Sequence, residues 1–328
     1  MALWLSFHLV IGLLGTWWAR RYALNANLLD HPGERRSHDA AIPRGGGIAI
    51  VASLLIAALW LAIQSPDRQI WLSCFATGLA VVAGVGWVDD HRPLSASARL
   101  AAHVIAAAVL AWGLQLTYGN PFLSLGTFVL AVGLTNTWNF MDGIDGLAAS
   151  QAGLIAATIA LALPGPEQWL AAALAAACGG FLPFNFPKAK VFLGDVGSGA
   201  IGFAIAALVS SVVAGQQTSS GLLILLPLAA FLVDASLTLA TRMLRGEQWW
   251  RAHADHSYQM WARKLRAHRP VTLAYAVWTT MACVFWLTFR KNEFAFITLS
   301  LLAWYMATTL LWLYLRRLST DAPSGIRG

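Results

Sequence analysis

Apolar residues run along this chain in long stretches broken by short polar segments. The stretches cover roughly 2–19, 46–64, 70–88, 98–115, 121–138, 148–164, 168–184, 199–214, 221–240, 270–289 and 293–315. Each is near the ~20 residues that a helix needs to cross a hydrocarbon core of about 30 Å. Backbone in lipid must satisfy its own hydrogen bonds, so each stretch is expected as a helix. The expected fold class is therefore all-α, a polytopic transmembrane helical bundle of about eleven spans. Polar residues 135–145, between the fifth and sixth stretches, leave the number at ten or eleven. Glycine and proline inside a stretch, such as Pro227, are ordinary in membrane helices.

The connections alternate in character. Segments 65–69, 116–120, 165–167, 215–220 and 290–292 are short and nearly featureless. Segments 20–45, 89–97, 139–147, 185–198, 241–269 and 316–328 are longer and richer in polar residues. Of the 22 Lys and Arg, only Arg68, Arg290 and Lys291 fall on the short-loop side, and Arg290-Lys291 argues against the last hairpin as drawn. An excess of Lys and Arg marks the cytoplasmic side. The expectation is an N-terminus outside and active-site loops in the cytoplasm. The start lacks the basic region and cleavage site of a signal peptide, and Arg20-Arg21 follows the first apolar run, so that run is expected to be retained. Residues 1–315 are expected to form a single transmembrane catalytic domain, with 316–328 a short cytoplasmic tail.

Composition agrees with this pattern. Of the 328 residues, 58% are hydrophobic and 11% charged, where a soluble domain carries about 25% charge. A soluble fold, a disordered chain and a disulfide-stapled secreted domain are excluded. The net charge of +7 suits anionic head groups or phosphate better than nucleic acid in such a chain. Cys74, Cys178 and Cys283 lie inside apolar stretches without CxxC spacing and read as small buried hydrophobes. The sixteen tryptophans read mainly as interfacial anchors.

The scarce polar residues form clusters. In Ile42-Pro43-Arg44-Gly45-Gly46-Gly47, the glycines open a span where backbone N–H groups are expected to approach an anion, with Arg44 as a charged fork. Asp89 and Asp90 end the third span, where paired carboxylates suit a divalent cation or proton transfer. Asn139-Phe140-Met141-Asp142-Gly143-Ile144-Asp145-Gly146 presents two carboxylates on a bent chain but lacks the closing Glu of a calcium loop. Gly194-Asp195-Val196-Gly197-Ser198 puts a carboxylate beside an expected turn of free N–H donors. His253 and His256, in Ala252-His253-Ala254-Asp255-His256-Ser257-Tyr258-Gln259, have no third zinc ligand at ligand spacing and suit phosphate contact or proton transfer. Asp234, inside an apolar stretch, is expensive in lipid and is expected to face the bundle interior.

Gathered on one side, these clusters suit a Mg²⁺-dependent reaction on phosphates. No GxxxxGK[ST] element supports ATP use. The order of R-S-H…P-R-G-G-G (36–47), D-D (89–90), N-F-M-D-G-I-D-G-L (139–147), F-N-F-P…V-F-L-G-D-V-G-S (184–198) and a histidine-containing last loop resembles the polyprenyl-phosphate N-acetylhexosamine-1-phosphate transferases, of the glycosyltransferase 4 type. The resemblance covers roughly residues 20–270. Within the family, A-H-A-D-H-S-Y-Q is most similar to the small O-antigen-initiating UDP-N-acetylhexosamine:undecaprenyl-phosphate transferases.

That resemblance implies transfer of a sugar-1-phosphate from a UDP-N-acetylhexosamine to undecaprenyl phosphate, releasing UMP, in the bacterial inner membrane. It implies Mg²⁺, with Mn²⁺ as an alternative, held on the diphosphate by Asn139 and Asp195. Asp145, Asn185 and Phe192 would contact uridine, and Asp89 and Asp90 would act at the lipid phosphate. His253 and His256 would meet the nucleotide phosphates, with Asp142, Arg44 and Arg99 in the same cleft. A homodimer is left open. The chain departs from the family at two places. Pro93 stands where a lysine is common, leaving Arg92 or Arg99 to substitute, and a triple-histidine cluster is reduced to His253 and His256. A transporter or flippase is the competing class, although the polar residues gather at one face and no internal repeat is present. A CDP-alcohol transferase would need a longer DG…AR…G…D…D run, which is absent.

Overall fold

A computed structural model describes residues 1–31, 40–215, 219–248 and 253–320. Of the motif residues, 36–38 and Ala252 lie outside these, as do 321–328 of the expected tail. The described chain is almost wholly helical, and every predicted apolar stretch lies on a helical element. In order they are α1 (Ala2–Asn25), α2 (Ile48–Gln64), α3 (Gln69–His91), α4 (Ala96–Tyr118), α5 (Pro121–Phe140), α6 (Leu147–Ala162), α7 (Pro166–Asn185), α8 (Asp195–Gly215), α9 (Ala229–Leu244), α10 (Ser257–Leu265), α11 (Arg269–Phe289) and α12 (Phe294–Thr320). The stretch at 221–240 is composite: a 3-10 segment, Ser219–Leu228, contains Pro227 and leads into α9. A two-residue antiparallel pair, Leu29–Asp30 with Ile42–Pro43, is the one sheet among the described residues.

Seven described helices are long and apolar enough to cross a membrane on those grounds alone, and α2 and α6 are apolar but shorter. The chain is a multi-pass membrane protein. Local chemistry punctuates the helices where expected. Ser95 Oγ accepts the Ala98 N–H at the start of α4, and Asn120 caps α5 ahead of Pro121. Gly119, with φ of 66°, ends α4 in the left-handed region that a side chain disfavours.

The bundle is layered around α8, which packs against α3, α5, α6 and the 3-10 segment and is 94% buried. At the opposite extreme α12 is 11% buried and turns Leu299, Leu302, Met306 and Leu310 outward. A helix apolar on all sides is inside protein or lipid, so hydropathy alone cannot rank the two. The short-loop end is closed by Arg68 paired with Glu167 at 3.2 Å and by Trp4 Nε1 donating to Trp169 O at 2.8 Å. There Arg290 donates to the Ala162 carbonyl at 2.7 Å, capping the C-terminal end of α6. The Arg290-Lys291 turn joins α11 to α12. α12 continues to Thr320, past the point where the tail was expected to begin.

Candidate active site

The polar end is assembled first by backbone. Gly46 N and Gly47 N donate to Phe192 O and Leu193 O, each at 2.9 Å, and Phe192 N donates to Pro43 O at 2.9 Å. Segments 42–47 and 191–194 therefore lie side by side. A Cβ on Gly47 would stand 2.3 Å from Gly197 Cα, so this approach needs glycine. Of the glycine N–H groups expected to face an anion, those of Gly46 and Gly47 are instead taken by protein carbonyls. This corrects the sequence reading, and the physical reason is that buried backbone donors must be paired.

The N-terminus of α8 is corrected in the same way. Asp90, 1% exposed at the end of α3, accepts Asp195 N at 3.0 Å and Val196 N at 3.1 Å. The donors of Gly197 and Ser198 return to Gly194 O. No turn of free N–H groups remains at this helix start: a carboxylate from α3 caps it, where the helix dipole favours negative charge. Gly194 sits at φ of 72°, and a Cβ there would lie 2.5 Å from Asp90 Oδ2. Arg44 donates through Nη2 to the Asp90 carbonyl, and its Nε stands 3.9 Å from the Asp90 carboxylate.

Asp89 has different partners. Its Oδ2 accepts Arg99 Nη1 at 2.8 Å, its Oδ1 accepts Leu94 N at 2.5 Å, and its carboxyl also meets that of Asp195. Of the two cations suggested in place of a lysine at 93, Arg99 is thus ion-paired beside the Asp pair, and Arg92 is exposed. Asn139 Nδ2 donates to Asp195 Oδ1 and to Ser198 Oγ, the latter at 3.0 Å. Asp142 completes the acidic group. Burial, then repulsion from Asp195, Asp90 and Asp145, pushes its carboxyl well above the ordinary carboxylate range.

Asp145 and Asn185 lie behind this group, tied to protein. The Asp145 carboxylate is 3.2 Å from His268 Nδ1, and its carbonyl accepts Thr272 Oγ1 at 2.7 Å. Asn185 accepts Gly146 N and donates to Val191 O, both at 2.9 Å, so both ends of its amide are engaged. Phe192 is half-buried beside them. His268 was not singled out from sequence. Its one signal is its place at the start of α11, directly ahead of Arg269-Pro270.

The histidine loop reaches the same end. His253 and His256 stack with centroids 5.0 Å apart, and His256 stacks on Phe140 at 6.1 Å. Tyr258, fully buried, donates its hydroxyl to Phe140 O at 2.9 Å, tying this loop to the Asn139–Asp142 turn. Burial, with His256 and Arg242 nearby, lowers His253 to about 4, so it is neutral at physiological pH in this structure. The loop is anchored on Asp234, which accepts Ser257 N at 2.8 Å and Tyr258 N at 3.1 Å. As expected from sequence, Asp234 faces the interior. The structure thus brings Arg44, Asp89, Asp90, Arg99, Asn139, Asp142 and Asp195 together, with His253 and His256 approaching across Phe140.

Comparison with known proteins bears on this arrangement. Residues 71–213 match the family model described as glycosyl transferase family 4. That range runs from α3 through α8 and holds every acidic residue of the cluster, but neither Arg44 nor the histidine loop. A decaprenyl-phosphate N-acetylglucosaminephosphotransferase of Mycobacterium tuberculosis is 29% identical, over 82% of this chain and 77% of its own. The Mycobacterium leprae protein of the same name is 30% identical, over 76% of this chain and 73% of its own. A phospho-N-acetylmuramoyl-pentapeptide-transferase of Acaryochloris marina is 31% identical, over 73% of this chain and 70% of its own.

Proposed function

This chain belongs to the polyprenyl-phosphate N-acetylhexosamine-1-phosphate transferases of glycosyl transferase family 4, and from that premise we propose that it moves N-acetylhexosamine-1-phosphate from a UDP-sugar to undecaprenyl phosphate. Its relatives are named for transfer of a sugar phosphate, two of them to decaprenyl phosphate. In the proposed reaction an oxygen of the lipid phosphate attacks the sugar-bearing phosphorus. The phosphoanhydride bond to the nucleotide phosphate breaks, and UMP leaves with the bonding pair.

The observation that carries this reading is the convergence of Asp89, Asp142 and Asp195 with Asn139 at one end of the bundle, flanked by Arg44 and Arg99. Asp90 is engaged with α8, and Asp89 with Arg99 and Leu94 N; in this reading the pair acts at the lipid phosphate, where a proton must be taken. Arg44 and Arg99 draw the anionic substrates in, and His253 and His256 meet the nucleotide phosphates. Asp145, Asn185 and Phe192 line the uridine side in this reading.

The residues fit Mg²⁺, with Mn²⁺ as an alternative. They are hard oxygen donors, and a divalent cation offsets both the burial and, after it, the mutual repulsion that lift Asp142. Among the described residues no three His, Cys, Asp or Glu stand together as a ready metal site. A magnesium ion typically takes one or two carboxylates and completes its shell with substrate phosphates. Asp195 and Asn139 would hold the ion, which supplies charge stabilisation for the transferring phosphate.

The finer parts of the proposal have narrower support. Initiation of an O-antigen or related surface polysaccharide rests on the histidine-loop sequence 252–259. An inner-membrane location with the polar end in the cytoplasm rests on the Lys and Arg distribution. The test is UMP release by the purified protein with undecaprenyl phosphate, Mg²⁺ and a panel of UDP-N-acetylhexosamines. Turnover that is abolished by Asp195→Ala, in protein of unchanged yield, is the expected result. Folded wild-type protein that releases no UMP with any donor overturns the reading.

A further inference from the structure

We propose that Asp234 is a positioning residue that holds His256 in its working orientation, an inference that rests on the transferase reading above. Asp234 is 1% exposed within α9. An ionised carboxylate has acceptor sites only, and here donors from four elements reach them. Oδ1 takes Ser257 N at 2.8 Å, Trp312 Nε1 at 3.1 Å and Thr238 Oγ1 at 3.2 Å. Oδ2 takes Tyr275 OH at 3.0 Å and Tyr258 N at 3.1 Å. The donors come from α9 itself, the start of α10, α11 and α12, so one side chain fixes where the histidine loop meets the bundle.

His256 immediately precedes the two backbone donors. It is 2% exposed, and its Nδ1 stands 3.7 Å from Asp234 Oδ1 with no hydrogen-bond partner of its own. A buried ring nitrogen without a partner is costly. Asp234 is an acceptor that a shift of about 1 Å would bring within hydrogen-bond range. An N–H at Nδ1 directed to a carboxylate fixes the tautomer and leaves Nε2 for other work. Stacking on His253 and Phe140 fixes the ring plane on the side of the Asn139–Asp142 turn. Asp234 itself lies beneath the loop, and acts on substrate only through His256.

A double-mutant cycle tests this, read as UMP release with kcat and KM for the UDP-sugar separated. Asp234→Asn keeps the size of the side chain but removes one acceptor oxygen. It is expected to lower kcat about 10–100-fold, the usual effect of losing a carboxylate behind a working histidine, with KM within about threefold. On a His256→Ala background the same change should cost less than about threefold more, because a residue acting through His256 has nothing left to act on. Losses that multiply, or a KM that rises with the fall in kcat, overturn the proposal in favour of a purely structural anchor. If Asp234→Asn does not fold, nitrogen-15 spectra of histidine-labelled wild-type protein decide instead, with His256 assigned by His256→Gln. The Nδ1–H tautomer is expected, and Nε2–H overturns the idea. That measurement needs no turnover, so it separates failure of this proposal from failure of the transferase reading.

Discussion

Asp90 and Asp234 do the same local job in opposite surroundings. Each is a carboxylate buried among membrane helices, and each accepts the first two backbone N–H groups of a distant helix, α8 for Asp90 and α10 for Asp234. Around Asp90 the neighbours are charged: Arg44 on one side, with Asp195 and Asp142 in electrostatic reach. Around Asp234 the hydrogen-bond donors are neutral, from Thr238, Tyr275 and Trp312. The first junction is therefore frustrated, because anions crowd beyond what two arginines balance, and it gains from binding a cation or a cation-bearing substrate. The second is held by neutral donors, with the unpaired His256 Nδ1 beside it. One helix cap borders a site that must accept ligand, and the other fixes a loop that must not move.

The sharpest way to break this contrast is at Asp90. Asp90→Ala leaves Asp195 N and Val196 N without an acceptor inside the bundle and Arg44 without its carboxylate. Loss of a helix cap costs about 0.5–2 kcal/mol, and here, where the freed donors are buried, the cost is roughly 1–3 kcal/mol for each. The expected outcome is a lower thermal midpoint in detergent together with at least about a 100-fold fall in UMP release. Lost turnover at unchanged stability would instead make Asp90 a chemical participant and dissolve the parallel with Asp234.

A middle-sized effect is expected where the two regions meet. Tyr258 donates its hydroxyl to Phe140 O, joining the loop fixed by Asp234 to the turn that carries Asn139 and Asp142. Burial first, then the nearby Asp234 and Asp142, pushes that phenol well above its usual range, so it stays a donor at working pH. Tyr258→Phe removes one hydrogen bond worth about 1 kcal/mol and frees the loop from the turn. Turnover should fall about fivefold, the factor that 1 kcal/mol represents. The fall should come with a drop in folding midpoint of no more than about 2–4 °C, what 1 kcal/mol amounts to, since the Asp234 contacts remain. A large drop in midpoint would mean that the loop is held from the acidic side.

Much of this arrangement was legible before any coordinates. Runs of about twenty apolar residues are unambiguous, so every predicted stretch lies on a helical element. The polar clusters mark the crowded end because charge in lipid is rare without a reason. What sequence could not convey is pairing. Nothing near Asp234 in the chain announces Tyr275 and Trp312 as its donors, and nothing near Asp145 announces His268. The glycines at 45–47 read as an open anion cradle because backbone N–H groups carry no sequence label. Only the fold reveals that Phe192 and Leu193 already occupy those of Gly46 and Gly47. α10 escaped notice for a related reason: it is a nine-residue, polar helix whose start is capped by Asp234 from another element.

The smallest expected effect probes the loop between the two carboxylates through pH. His253 titrates near 4 in the folded protein, lowered first by burial and then by His256 and Arg242, against about 6.5 when unfolded. Between these values the unfolded chain binds a proton that the folded one refuses. Stability therefore rises with pH across that window, is complete above about 6.5, and is lost as pH falls toward 4. The thermal midpoint in detergent should decline over that interval, and His253→Gln should flatten the decline while leaving the midpoint at pH 7.5 nearly unchanged. An unaltered slope in that variant would remove His253 as the source of the acid sensitivity; Asp142, whose carboxyl is raised in the fold, gains stability as pH falls and so works against the decline.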